Sequence, residues 1–376
     1  MAGLKPIGLV LVAVTLALTA SAAMAHKASD SFLYLNTGPT ELRLDVALRD
    51  LALLVSLDHN GDRQVSGQEL RQARSDITRA VEASLILSNN SGDCSLEGQK
   101  WGISSHSDGK YAAARYRIHC PDGEPPTALE YNLLFDRDAL HRGLVSIGTD
   151  DEPRLAVLSP DARVLDLSPD GAGSRFSVFT TFIYEGIVHL LMGLDHILFL
   201  LVLVIPASLG TREGRASHGT ATDFSARLME LTGIVTAFTV AHSATLALAA
   251  LDIVTLPIAW VETVIALSIA VAALNVAWPV LGRKTWKLAF GFGLVHGFGF
   301  ASVLGDLTSG VSGLVMALAG FNIGVELGQL GLLALGFPVL YLLGQNRVYQ
   351  RGLVPLALLG VSAISLYWVV QRAPVL

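Results

Sequence analysis

Glu185, His189, Met192, Asp195 and His196 all fall within one strongly apolar run, EGIVHLLMGLDHILFLL. Ionisable side chains are costly in hydrocarbon and tend to mark pathways or ligand sites. Carboxylate, imidazole and thioether together are the donors a divalent transition-metal site would use. At the helical period of about 100° per residue, Glu185, His189, Met192 and His196 share one face, with Asp195 roughly 80–120° away. Later apolar segments carry further groups of the same kind. His242 stands in one, and His296 stands in another, FGFGLVHGFGF, among Gly291, Gly293, Gly297 and Gly299. Asn322, Glu326 and Gln329 share a face at i, i+4 and i+7. Glu262 precedes Ser268 and Asn275, which again share a face. A single intramembrane histidine often only bonds a neighbouring helix, and glycines serve close packing. Packing accounts for the glycines but not for His296.

These residues need membrane-spanning helices to position them. Hydrophobic residues make up 52% of the chain and charged residues 15%, and the mean hydropathy is +0.52. That is too apolar for an ordinary soluble domain. The net charge of −6 comes largely from the first half, and the absence of a basic stripe excludes nucleic-acid binding. The fold class expected is an α-helical polytopic bundle of about six spans, at roughly 179–205, 229–250, 256–279, 287–304, 313–343 and 353–370, within a membrane domain of 178–376. The fifth span is long enough to tilt or to break near Gly336–Pro338. Lys and Arg follow spans one, three and five (Arg212, Arg215, Arg227; Arg283, Lys284, Lys287; Arg347, Arg351), so both ends of this domain lie outside the cytoplasm. At a rise of about 1.5 Å per residue, His189, His242, His296 and Asn322 reach similar depth from four different spans.

Residues 1–25 read as a signal peptide, with Lys5, an apolar stretch and Ala23-Met24-Ala25 before His26; an uncleaved anchor is the alternative. Residues 26–167 alternate in the manner of strands (SFLYLN, ELRLDVAL, SLILSNN, YAAARYRIHC, LEYNLLF, RLAVLS), which suggests a small exported β-sandwich. A helical insertion occupies 51–83, and 168–177 reads as a linker. Cys94 and Cys120 in an exported domain favour a disulfide, the alternative being two unpaired core residues.

Within the insertion, DHNGDRQVSGQE (58–69) resembles an EF-hand calcium loop, with Asp58, Asn60, Asp62, the Gln64 carbonyl, Ser66 and Glu69 at the ligand positions. It departs from that pattern at Arg63, where glycine is usual for the turn. Calcium binding as a structural clip is the favoured reading, a solvated polar turn the alternative.

The stretch His189-x-x-x-Gly193-x-Asp195-His196, together with His296-Gly297 in VHGFGF, resembles the HupE/UreJ proteins, in a longer branch with an exported amino-terminal domain. The resemblance implies a membrane protein associated with nickel or cobalt uptake. Nickel-associated members carry a second histidine four residues after the first in span four; here that position is Phe300. The leading reading is an inner-membrane permease for a divalent transition metal of open identity. Its metal site would be His189, Met192, Asp195, His196, His242 and His296, with Glu185, Glu262, Asn322, Glu326 and Gln329 along the path. Two other readings stay open. One is an intramembrane metal-dependent hydrolase built on the same histidines. The other is an accessory protein for envelope metal handling, with His26 as a terminal copper chelator. Metal ions and the lipid bilayer are the partners implied; no protein partner is readable.

Overall fold

The computed structural model describes residues 30–36, 40–62, 65–106, 109–148, 154–168, 175–209, 221–278, 285–305 and 311–373. The segment read as a signal peptide, His26, Arg63, Gln64 and most of the expected linker lie outside these residues.

The first half is strand-rich. One sheet has the order β5-β6-β2-β1-β8-β9 (Ser95–His106, Gly109–His119, Glu41–Ala47, Asp30–Asn36, Arg142–Ile147, Arg154–Leu158). A second has the order β10-β7-β3-β4 (Val164–Asp166, Ala128–Tyr131, Leu85–Asn89, Gly92–Asp93). Period-two alternation puts Leu33, Leu35, Leu42 and Leu44 of the first sheet into one core with Leu85, Leu87, Leu129 and Tyr131 of the second. β1 is central, antiparallel to β2 and parallel to β8. Three short helices, α1 (Leu48–Leu51), α2 (Gly67–Gln72) and α3 (Arg74–Glu82), fill the expected insertion, and Leu51, Leu70, Ile77 and Val81 drop into the same core. Cys94 and Cys120 form a disulfide across the open end of the β5–β6 hairpin, next to the paired Ser95 and His119. Two main strands escape the alternation signal. β5 is an edge strand with few buried side chains, so its sequence carries no apolar period. β8 is buried on both faces and too short to show one. LEYNLLF is strand only to Tyr131, after which Leu134 takes a φ of 66° and the chain turns.

The second half is helical: α4 (Arg175–Met192), α5 (Leu194–Ser208), α6 (Ala221–Ala250), α7 (Ile258–Ala277), α8 (Thr285–Gly305), α9 (Val311–Leu343), and a π turn (Tyr349–Leu353) leading into α10 (Val354–Arg372). Four helices are long and apolar enough to cross a membrane, five if the bent pair α4–α5 counts as one. The first expected span is therefore not one continuous helix: α4 and α5 meet at Gly193 with a bend of 72°. The fifth runs through Gly336 and Pro338 without a break, its Leu333, Phe337 and Tyr341 buried in the helical core.

The helices pack closely as α4 on α9, α6 on α8 and α7 on α10, with α5 wedged between them. Glycines make the first two crossings possible. A Cβ at Gly186 or Gly324 would strike the Phe321 or Ile183 carbonyl, and one at Gly297 would strike Thr245 and the His242 carbonyl. The strand domain meets α4 directly: Val157 packs on the cluster containing Phe182 and Leu190, and Arg142 of β8 bonds Glu185.

Candidate intramembrane histidine site

The site is built around the break between α4 and α5. The Gly193 amide closes α4 on the His189 carbonyl at 2.9 Å, and the Gly193 carbonyl opens α5 by accepting from Ile197 at 3.2 Å. A side chain does not fit here, because a Cβ would lie 2.8 Å from His196 Nδ1 and 2.9 Å from the His189 carbonyl oxygen. The break thus sets His189 on the last turn of α4, and Asp195 and His196 on the first turn of α5. Asp195 sits at a helix start, where exposed amides favour a carboxylate; its Oδ1 accepts from the His196 amide at 3.0 Å.

His196 is the hub. Its ring centroid lies 5.0 Å from His189, 5.4 Å from His296 of α8 and 6.4 Å from His242 of α6. Phe199, Phe238 and Phe321 wall the cluster. His196, His242 and His296 are 8%, 0% and 3% exposed.

Hydrogen bonding fixes which ring nitrogens are free. The Asn322 amide donates to the Leu318 carbonyl at 2.8 Å, so its Oδ1 is the acceptor that faces His242 Nδ1 at 3.1 Å. His242 therefore carries its proton on Nδ1 and presents a lone pair on Nε2. His196 Nδ1 likewise faces Asp195 Oδ1 at 3.1 Å, leaving its Nε2 as the lone-pair nitrogen. Among the described residues neither Nε2 has a hydrogen-bond partner, and neither nitrogen of His296 has one. Four buried imidazole nitrogens without protein partners form an unusual concentration, since buried polar atoms are normally bonded. A carboxylate or amide fixing the far nitrogen of an imidazole is also how metal-ligating histidines are oriented. The rings do not close on one point as they stand: among the described residues no group of three or more His, Cys, Asp or Glu has the geometry of a closed metal site.

The other expected site residues divide. Asn322 belongs to the cluster. Gln329 and Glu326 line the same α6–α9 seam, accepting from Thr239 at 3.0 Å and Thr236 at 2.6 Å. Glu262 is half-buried in the second turn of α7. Met192 is 54% exposed on the last turn of α4, because the bend at Gly193 ends the common helical face that joined it to His196. Glu185 is not a free acid at the mouth: Arg142 Nε donates to its Oε2 at 3.0 Å, with both side chains largely buried. Arg227, expected in a cytoplasmic loop, is 5% exposed within α6, 3.0 Å from Asp223, and donates to the Ala207 carbonyl at 2.5 Å. Sequence reasoning missed Arg372 at the end of α10, 3.9 Å from Asp195. Its only signal was a charge at the close of an apolar segment. The contact sets the helix break near the end of the bundle where α10 finishes.

In the calcium-like loop, Asp58 Oδ1 accepts from the Gly61 amide at 2.7 Å and Asn60 Oδ1 from the Asp62 amide at 2.8 Å. Glu69 accepts from the His59 and Asn60 amides and, at 2.9 and 2.7 Å, from the Ser66 amide and hydroxyl. Ser66 and Glu69 also form a capping box that starts α2. The Ser66 hydroxyl and these amides hold the Glu69 carboxyl down to about 2.

Fold and site together define a polytopic helical membrane protein with a buried histidine cluster at a helix break and a strand-rich domain before it. The family description HupE / UreJ protein matches residues 170–372, more than half of the chain. The chain belongs to the HupE/UreJ family, which is associated with nickel and cobalt transport. No curated protein matches it.

Proposed function

We propose that this protein is a permease for a divalent transition metal of the nickel or cobalt kind, with the histidine cluster as its intramembrane cargo site. The observation that carries this reading is the set of buried nitrogens without protein partners on His196, His242 and His296, two of them oriented by Asp195 and Asn322. Imidazole suits borderline divalent cations, nickel and zinc among them. The break at Gly193 supports the reading too, because interrupted helices are a recurrent way to expose backbone and side chains to a transported ion. His189 would extend the site towards the strand domain, and Asn322, Gln329 and Glu326 would continue it along the α6–α9 seam. In this reading the helices make six crossings, with α4 and α5 together as one broken span and α6, α7, α8, α9 and α10 as one span each. Both ends of the helical region face the exported side of an inner membrane. The loop at 58–69 is a calcium clip that stiffens the insertion of the exported domain.

The test is metal uptake into proteoliposomes, measured by mass spectrometry for nickel, cobalt, zinc and manganese. Wild type should accumulate at least one of them, less so on acidification, since a protonated imidazole cannot bind a cation. His196→Ala and His296→Ala should abolish uptake. Equal uptake by wild type and His196→Ala would overturn the reading.

A further inference from the structure

Arg372 ends α10 with its Nη1 3.9 Å from Asp195 Oδ2, the side chains being 16% and 22% exposed. Its guanidinium carbon lies 5.0 Å over the Trp368 ring, and Trp368 is itself buried in the helical core. The guanidinium is thus held in place between an aromatic face and a carboxylate. The other oxygen of that carboxylate, Oδ1, bonds the amide and Nδ1 of His196. One acid therefore connects a fixed positive charge to the hub of the histidine cluster. An arginine at a helix C-terminus is ordinarily satisfied by the last carbonyls and the helix dipole. Here it is turned instead onto the first turn of another helix, towards the carboxylate that bonds the hub histidine.

We propose that Arg372 is a tethered countercharge that sets how tightly the histidine site holds its cation. This rests on the permease reading above. With no cargo present, Arg372 and Asp195 balance one another. A divalent ion among the imidazoles raises the local charge from neutral to +2 by simple addition, and the guanidinium and the ion then compete for Asp195. The site binds more weakly than its nitrogens alone would allow, and release is faster. Arg372 acts through Asp195, sets affinity, and does not itself ligate the metal.

The experiment titrates full-length protein in detergent with Co(II), following visible absorbance, for wild type, Arg372→Gln, Arg372→Met, Arg372→Lys and His196→Ala. Removing the charge should tighten Co(II) binding about tenfold or more, as expected for unit charges within several ångströms at an interior dielectric. Arg372→Lys should remain close to wild type. A merely structural arginine would give weaker binding on removal, never tighter. Met fills the contact with Trp368, so it serves where Gln does not fold. Unchanged or weaker binding in the uncharged variants, while His196→Ala abolishes binding, would overturn the role of Arg372 and leave the permease reading intact. Unchanged Co(II) binding in His196→Ala would overturn the site itself and this inference with it.

Discussion

Asn322→Leu isolates the orientation of one imidazole from its presence. The substitution keeps the side chain close to its original size in a position that is 8% exposed. It removes the acceptor 3.1 Å from His242 Nδ1. A buried donor left without a partner costs about 1–3 kcal/mol. Moving the proton to Nε2 does not recover that cost, because Nε2 has no partner among the described residues either, so nothing then holds the lone pair on Nε2 or fixes the ring. Loss of the partner that orients a metal-ligating imidazole costs about 10- to 100-fold in metal affinity. At about 1.4 kcal/mol per decade that is roughly 1.4–2.8 kcal/mol of binding free energy. Calorimetric titration of the purified protein with Ni(II) or Co(II) measures it, with thermal unfolding as the check on folding. Asn322→Asp keeps an acceptor on Nδ1 and should stay within a few-fold of wild type. Affinity of Asn322→Leu within twofold of wild type would refute the tautomer argument.

Gly324→Ala drives a methyl into the Ile183 carbonyl where α4 crosses α9; it should lower the melting temperature by an amount equivalent to about 1–3 kcal/mol and reduce uptake, because His189 rides on α4. Arg142→Ala leaves the largely buried Glu185 carboxylate without its guanidinium. The cost should lie near 2 kcal/mol, between the values for exposed and buried pairs, and hydrogen exchange should rise in β8 and α4 together. His141, fully buried with Nε2 2.7 Å from the Tyr131 hydroxyl, is pushed down to about 3 by desolvation, with Arg142 adding to it. The unfolded chain takes up this proton below about 6.5 and the folded domain only near 3, so stability falls as pH drops through that window, by about 1.4 kcal/mol per unit. Melting temperature against pH should show that slope in wild type and a shallower one in His141→Gln.

What the sequence made legible was the chemistry and its convergence. Histidines at 189, 196, 242 and 296 stood out because the runs around them are otherwise apolar, and four helices do bring them together. The 3.6-residue period then misled at one place. It assumes an unbroken helix, so it joined Met192 to His196 across Gly193, where the helix ends and restarts. The glycine and the acid two residues later were the signs of a new helix start, but within an apolar run they read equally well as continuation. The partners of the site were hidden for a different reason. Arg142 and Arg372 reach Glu185 and Asp195 from a strand far away in sequence and from the last helix, contacts no local period encodes. Arg227 illustrates the same limit: its charge suggested a loop, while Asp223 one turn earlier and the Ala207 carbonyl let it stay buried. In the strand domain, alternation revealed strands with one buried face and missed β5, with few buried side chains, and β8, with two buried faces.

The most direct measurement is X-ray absorption at the metal K edge on full-length protein loaded with one equivalent of Ni(II) or Co(II). The account predicts the multiple-scattering signature of at least three imidazoles, with the count falling by one in each of His196→Ala, His242→Ala and His296→Ala. A shell of oxygen donors alone, or a spectrum that none of the three substitutions alters, would contradict it.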